Sequence, residues 1–221
     1  MTLQADLFGD VSEDEAITIP GLHYCSNYIN KTEQRALLDM IDQHPWLTDL
    51  KRRVQHYGYK YDYKARMVTP ELYLGLLPDW LMPLAHRLHR EGLLSAVPDQ
   101  AIINEYLPGQ GISAHIDCVP CFGSEIASLS LGSACVMEFT HAHHNKQTKA
   151  LEPCSLFVLS GPARYEWQHC IPARKSDVIG GIKINRARRV SITFRKVIFE
   201  SLCRISLNGS DTIDCGEIPI E

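Results

Sequence analysis

The stretch that decides the fold is Asn104-Glu-Tyr-Leu-Pro-Gly-Gln-Gly-Ile-Ser-Ala-His-Ile-Asp117. His115 and Asp117 stand two positions apart, and on an extended strand such side chains point to the same face. An imidazole and a carboxylate on one face supply two ligands of the 2-His-1-carboxylate triad that binds non-haem Fe(II) and leaves coordination positions open. A single His-x-Asp pair also recurs by chance on half-exposed strands, so the rest of the chain must decide.

Two later segments supply what such a site needs. His169 ends the strand-like run Tyr165-Glu-Trp-Gln-His169 and is a candidate third ligand. The run Arg189-Val-Ser-Ile-Thr-Phe-Arg195 follows, and a period of two separates its polar face from its apolar face. Two guanidiniums on a buried-looking strand need an anion, and arginine presents a planar fork to carboxylates. This run therefore predicts a site for a dicarboxylic cosubstrate.

The order of these motifs resembles that of the AlkB-type Fe(II)/2-oxoglutarate dioxygenases. The resemblance covers roughly residues 20 to 200 and includes Pro-Gly-Gln-Gly before His115 and Ser-Leu-Ser-Leu-Gly-Ser at 128–133. Within the family, the sequence is most similar to the AlkB domain of the tRNA wobble-uridine hydroxylase branch. Three segments carry this similarity, namely Arg53-Val-Gln-His-Tyr-Gly-Tyr, Pro-Asp-Gln-Ala-Ile-Ile-Asn and Val-Met-Glu-Phe.

The resemblance implies a role for each matching residue. The Fe(II) ligands, and so the catalytic residues, would be His115, Asp117 and His169. The cosubstrates would be 2-oxoglutarate and O₂. Arg189 and Tyr106 would bind the distal carboxylate of 2-oxoglutarate, and Arg195 and Asn104 would lie at its C1 end. Ser191 occupies a position where the family often has Asn, and its hydroxyl remains a candidate donor to the cosubstrate.

The fold class expected from the whole chain is mainly β with flanking helices. Seven strands are predicted, at about 101–107, 113–118, 126–133, 135–140, 155–160, 165–170 and 189–199, which fits a double-stranded β-helix, or jelly-roll barrel. Helices starting at Asn30 and near Asp79 would buttress it. We expect an acidic tail at 1–16, the dioxygenase domain at 17–200 and a C-terminal extension at 201–221.

Bulk properties restrict the class of protein. The 221 residues suffice for one domain, and we expect a monomer. No apolar run approaches the ~20 residues that a membrane helix needs, and the N-terminus lacks a secretory signal, so we expect no membrane contact and a cytoplasmic location. In that setting reduced thiols or metal ligands are expected of the eight cysteines rather than disulfides. The net charge of −4 argues against a nonspecific nucleic-acid binder.

A basic, tyrosine-rich segment, residues 51–66, is the predicted contact with nucleic acid. Lysine can contact phosphates while tyrosine stacks on an unpaired base. The candidate substrate residues are Arg53, Tyr57, Tyr59, Lys60 and Tyr61. The segment is equally consistent with a solvated edge whose tyrosines close the core.

Four cysteines form a candidate zinc site. Cys118 and Cys121 have metal-ligand spacing, and Cys203 and Cys215 follow the barrel. The wobble-hydroxylase branch has a structural zinc near this place, but this chain lacks its His and its cysteine spacing. The alternative is four unrelated thiols.

The tail contains a candidate docking peptide, Gln4-Ala-Asp-Leu-Phe8. It is similar to the short peptides that dock bacterial sliding clamps, since Leu and Phe anchors on a tail can fill an apolar pocket. The alternative is a tail with two stray hydrophobic residues.

The function predicted from these features is Fe(II)/2-oxoglutarate-dependent dealkylation of damaged bases in DNA or RNA, which releases succinate, CO₂ and formaldehyde. The first alternative is hydroxylation of a modified wobble uridine in tRNA. A non-catalytic binding protein on the same barrel, and a dioxygenase acting on protein or lipid, are further alternatives.

Overall fold

Two helices and two short strands come first in the described part of the chain. The computed structural model describes residues 19–48 and 50–199. These elements are β1 (Leu22–Cys25), α1 (Lys31–Asp42), β2 (Val54–Tyr57) and α2 (Met82–Arg90). The Asn30 side chain accepts hydrogen bonds from the backbone N–H groups of Thr32 and Glu33, and the Glu33 carboxylate accepts one from Asn30 N–H. This capping box stabilises the first turn of α1, where the sequence predicts a helix start.

The remaining chain is almost entirely strands. They are β3 (Gln100–Tyr106), β4 (Ile112–His115), β5 (Phe122–Gly132), β6 (Cys135–Thr140), β7 (Gln147–Leu151), β8 (Leu156–Leu159), then helix α3 (Gly161–Tyr165), β9 (Gln168–Ile171), β10 (Ser176–Ile179), β11 (Ile182–Asn185) and β12 (Arg189–Val197). A 3₁₀ helix at Val119–Cys121 connects β4 to β5.

Two antiparallel sheets form the barrel. The larger has the order β1-β8-β5-β12-β3-β2 and the smaller the order β4-β9-β6-β7, while β10 and β11 form a separate hairpin. One apolar cluster contains side chains of both sheets, among them Ile126, Phe157, Phe139 and Ile171. Two antiparallel sheets that enclose a core in this way are the predicted jelly roll.

The central strand β12 divides the core in two. Val190, Ile192 and Phe194 belong to the apolar cluster that contains residues of α1 and α2. Side chains alternate along a strand, so Arg189, Ser191 and Arg195 face the interior of the barrel. On β3, Tyr106 lies opposite Arg189 and Asn104 lies opposite Ser191. The larger sheet therefore aligns the polar side chains of two strands on its inner face.

Three local predictions differ from the structure. Residues 161–165 form α3 and β9 starts only at Gln168, so the strand predicted at 165–170 is shorter at its start. Strand β4 ends at His115, so Asp117 lies in the segment that follows it. The alternating tyrosines at 57, 59, 61 and 63 would share one face of a continuous strand, but β2 ends at Tyr57 and Gly58 has φ of 76°, so they do not.

Within the described ranges, no helix is long and apolar enough to cross a membrane.

Candidate active site

Three potential metal ligands converge at one end of the barrel. His115 on β4 pairs directly with His169 on β9, and their ring centroids are 4.4 Å apart. Asp117 follows two residues after His115, and its Oδ1 lies 3.5 Å from His115 Nε2. One ligand atom from each of the three residues lies within 4.8 Å of the others. Among residues 19–48 and 50–199, no other group of three His, Cys, Asp or Glu side chains meets this criterion.

The charge state of the group suits a divalent metal. Burial would raise the pKa of Asp117, but the Arg195 guanidinium and His115 hold that pKa well below its usual range. Burial lowers the pKa of His169 to about 4, although the charge of Asp117 opposes this. At neutral pH the carboxylate is therefore ionised and the imidazole of His169 is neutral, which are the forms that coordinate metal.

A hydrogen bond orients the other imidazole. His115 Nδ1 lies 2.8 Å from the carbonyl oxygen of Ser113, which can only accept, so Nδ1 carries the proton. The free electron pair is then on Nε2, the nitrogen nearer to Asp117. Such outer hydrogen bonds fix the tautomer and ring orientation of metal-binding histidines. Two imidazoles and one carboxylate fit non-haem Fe(II) with open coordination positions.

A cavity extends from this triad into the barrel. The five predicted cosubstrate residues all line it, namely Asn104, Tyr106, Arg189, Ser191 and Arg195. Arg189 is 3% exposed, and its Nη2 donates to the Ser130 hydroxyl at 2.8 Å. Its Nε and Nη1 are buried and have no hydrogen-bond partner among the described residues. Because unpaired buried donors are costly, these two nitrogens fit a carboxylate that binds in the cavity.

The second arginine of β12 lies at the metal end of the cavity. Arg195 Nη2 and Nε donate to the two Asp117 carboxylate oxygens, both at 3.2 Å. Its Nη1 donates to Gln100 Oε1 at 3.3 Å. Arg195 therefore binds the side chain of Asp117, a predicted iron ligand. It lies at the end of the cavity where the resemblance places the C1 carboxylate of 2-oxoglutarate.

A wider cavity of about 290 Å³ opens on the outer side of the triad. This volume is close to the lower end for small-molecule sites. Aromatic and basic side chains of the 51–66 segment form one wall, namely Arg52, Tyr61, Tyr63 and Arg66. Cys118 and Phe122 also line the cavity, and the Phe122 ring centroid is 5.9 Å from that of Tyr61. Tyr61 lies edge-on to Tyr63 with ring centroids 5.0 Å apart. The cavity thus provides aromatic surfaces beside the triad.

The predicted substrate residues are only partly at this cavity. Tyr61 lines it, whereas the other four do not. Arg53 forms an ion pair with the buried carboxylate of Glu105, and Tyr57 packs in the core beside Trp80. Tyr59 packs on Tyr73, and Lys60 is exposed. These four lie away from the cavity, and their role as substrate contacts stays a prediction.

Sequence reasoning missed Arg52, Tyr63 and Arg66, although all three belong to the basic segment from which contacts were predicted. It also missed Arg164 on α3, which is 1% exposed. Its guanidinium donates to the main-chain carbonyl of Asp117 at 2.8 Å. Burial lowers the pKa of Arg164. No motif marks Arg164 in the sequence, since its acceptors are backbone atoms.

The cysteines differ from expectation. Cys118 and Cys121 form a disulfide across the 3₁₀ helix, where the short spacing brings their Cα atoms within 5.3 Å. The prediction of reduced thiols is wrong for this pair, and as a disulfide it offers no thiolates to zinc. Cys203 and Cys215 lie outside the described residues, as do the clamp-like peptide at 4–8 and both predicted terminal segments.

Comparisons with known proteins agree with this geometry. The family model described as the 2OG-Fe(II) oxygenase superfamily matches residues 24–195. The chain is 38% identical over 208 residues to the Alkylated DNA repair protein ALKBH8 homolog of Arabidopsis thaliana, covering 83% of this chain and 60% of that protein. It is 37% identical to the tRNA (carboxymethyluridine(34)-5-O)-methyltransferase alkbh8 of Xenopus tropicalis, covering 80% of this chain and 32% of that protein.

The chain therefore spans less than two thirds of either relative's length. The solved structure of OsALKBH1 superposes with a TM-score of 0.60 at 15% identity, covering 80% of this chain and 97% of that one. At this identity the superposition shows the fold alone, and it agrees with the jelly roll described above.

Proposed function

The chain belongs to the 2OG-Fe(II) oxygenase superfamily, and from that premise we propose that it is an AlkB-type dioxygenase that oxidises a modified base in DNA or RNA, with dealkylation as the first candidate reaction. The observation that carries this proposal is the pair of cavities that meet at the His115, Asp117 and His169 group. One fits a dicarboxylate, and the other has the aromatic and basic walls that suit an unpaired nucleotide.

The polar residues of the inner cavity fall into iron ligands, cosubstrate contacts and residues that orient the ligands. His115, Asp117 and His169 would hold Fe(II), and Arg189 with Tyr106 would hold the distal carboxylate of 2-oxoglutarate. Fe(II), 2-oxoglutarate and O₂ together supply oxidation of a C–H bond, coupled to the formation of succinate and CO₂. The protein binds, orients and excludes water. Arg195 keeps Asp117 ionised and aligned, and the Ser113 carbonyl keeps the Nε2 electron pair of His115 available.

The bonding of the oxidised carbon decides the product. A hydroxylated carbon attached to a base nitrogen is a hemiaminal, which loses formaldehyde and restores the base. A hydroxylated carbon attached only to carbon is stable. The same site can therefore support dealkylation or hydroxylation, and the outer cavity decides which base presents its carbon to the triad.

Hydroxylation of a modified wobble uridine in tRNA is the second candidate. It is favoured by the similarity to the Xenopus tropicalis protein, whose name specifies a tRNA uridine modification. This chain matches only 32% of that protein. The similarity therefore supports the oxidation step, and methyl transfer is not proposed for this chain.

Mass spectrometry of two substrate panels tests the proposal. The protein is incubated with Fe(II), 2-oxoglutarate and either N-alkylated DNA and RNA oligonucleotides or tRNA that carries modified wobble uridines. Loss of an alkyl mass with release of formaldehyde supports dealkylation, and a gain of one oxygen on the uridine supports hydroxylation. Turnover of neither panel, in protein that still converts 2-oxoglutarate slowly to succinate, would overturn the assignment of a nucleobase substrate.

A further inference from the structure

Arg164 is a buried cation that no carboxylate neutralises directly. Its side chain is 1% exposed, and it forms no ion pair with any residue in the described part of the chain. Burying a charge without a paired counter-charge is unfavourable by several kcal/mol unless hydrogen bonds compensate. The position of its hydrogen bonds therefore indicates what the arginine contributes.

All the acceptors of Arg164 lie in one short segment. Nη1 donates to Asp117 O at 2.8 Å, and Nη2 donates to Cys118 O at 3.2 Å. Nη2 also reaches Phe122 O, and Nε reaches Gly123 O, both at 3.4 Å. This segment connects β4 to β5 and contains the Asp117 ligand. The planar guanidinium thus holds both ends of the connection at once, which a lysine ammonium cannot do with the same geometry.

Asp117 is therefore held from two sides. Arg195 binds its carboxylate, and Arg164 binds its main-chain carbonyl. Asp117 lies beyond the end of β4, so no ladder hydrogen bond of the β4–β9 pair positions its backbone. We propose that Arg164 is the positioning residue that keeps Asp117 converged with His115 and His169. The inference rests on the iron-binding part of the proposed function.

Metal titration of the whole protein tests this role without substrate. Co(II) replaces Fe(II) as the probe, because its visible absorption reports the ligand geometry. Arg164→Met should raise the Co(II) dissociation constant about ten- to a hundredfold, the usual effect of losing an outer hydrogen bond to a metal ligand. The Co(II) spectrum should also change, because the carboxylate is no longer held in place. Arg164→Lys keeps the charge and should lose less affinity, and it remains informative if the Met variant does not fold.

Arg87→Met is the matched control. Arg87 is also partly buried, but it lies on α2 and pairs with Glu33, away from the triad. The Arg87→Met variant should keep a Co(II) affinity within about twofold of the wild type. Wild-type affinity and spectrum in folded Arg164→Met, or an equal loss in Arg87→Met, would overturn the inference. Because no nucleic acid is present, an incorrect base substrate would leave this result unchanged.

Discussion

Arg189 on β12 and Tyr106 on β3 lie directly opposite each other, with the guanidinium carbon 5.3 Å from the centre of the phenol ring. The ring covers one side of the guanidinium, and Ser130 occupies Nη2. Nε and Nη1, which lie on different edges of the guanidinium, are therefore the two nitrogens left to donate to a ligand.

Arg189→Ala should raise the 2-oxoglutarate concentration needed for half-maximal succinate formation about ten- to a hundredfold, since a charge-assisted contact contributes roughly 1.5–3 kcal/mol. Co(II) affinity should change far less. Arg188→Ala is the control, because the neighbouring side chain points the other way and pairs with Asp42 and Glu105. If Arg189→Ala leaves the half-maximal 2-oxoglutarate concentration unchanged, Arg189 does not bind the cosubstrate and has only a structural role.

His115→Ala and Asp117→Ala should abolish turnover while the protein remains folded, because each removes a ligand without opening the main core. The slow conversion of 2-oxoglutarate to succinate in the absence of substrate should disappear as well. Succinate formation and circular dichroism measure the two effects separately. Succinate production at the wild-type rate in either variant would refute the triad.

The outer cavity predicts that two substitutions within the 51–66 segment differ in their effect on substrate binding. Tyr63→Leu removes an aromatic wall and should raise the KM for the oligonucleotide about five- to 150-fold, as expected for a stacking contact of 1–3 kcal/mol. Lys60→Gln changes an exposed residue that does not line the cavity, and it should have a much smaller effect. Steady-state kinetics on the substrate that the panels identify provide the measurement. The reverse order of effects would show that nucleic acid approaches along a different face.

Asp177 predicts a pH-dependent contribution to stability. It is 3% exposed and pairs with Arg186 and Arg174. Burial would raise the pKa of Asp177, but hydrogen bonds from Arg186 and Arg174 lower it overall. The stabilisation is therefore present above the unfolded-state pKa of about 4 and is lost as pH falls through the folded pKa.

Asp177→Asn should lower the free energy of unfolding by about 3–5 kcal/mol at pH 7, because it leaves the buried charge of Arg186 unpaired. Urea unfolding at pH 7 and pH 3 should show that the difference from the wild type shrinks in acid. Asp39→Asn on the exposed face of α1 is the control and should stay within about 0.5 kcal/mol of the wild type. A difference independent of pH would show that packing, rather than charge, explains the loss.

The clamp-like peptide gives a prediction that separates replication-linked repair from RNA modification. A peptide of residues 1–12 should bind a bacterial sliding clamp with micromolar-scale affinity, measured by fluorescence anisotropy, because Leu7 and Phe8 supply apolar anchors. Replacing both with Ala should abolish binding and leave activity on short oligonucleotides intact. Binding that survives in the double variant, or that is absent from the native peptide, would favour the tRNA substrate.

The inner face of the barrel was predictable because strand periodicity alone determines it. Alternation along 189–195 separates polar from apolar side chains, and the same alternation aligns Asn104 with Tyr106. The capping box at Asn30 likewise has a local signal. Seven of the twelve described strands were predicted from the sequence, and the jelly roll and the family expected from them are confirmed.

Features that depend on turns and on backbone acceptors were not predictable. The positive φ at Gly58 redirects the tyrosine-rich segment, and no pattern of two or 3.6 residues reports that change. Arg164 acts on carbonyl groups, which every residue has, so its role leaves no trace in side-chain chemistry. Helix α3 ends at Tyr165 and β9 begins at Gln168, so the strand predicted at 165–170 lacks its first three residues, and side-chain alternation does not mark that helix end.

The disulfide between Cys118 and Cys121 has a practical consequence for the choice of assay buffer. Enzymes that use ferrous iron are assayed with a reductant, and thiol reductants also open accessible disulfides by exchange. Cys118 lines the outer cavity next to Asp117, so dithiothreitol and ascorbate would present the substrate with two different cavity walls. Rates measured in the two reductants therefore belong to two covalent forms of the protein, and each preparation needs a thiol count before its kinetics are compared with another.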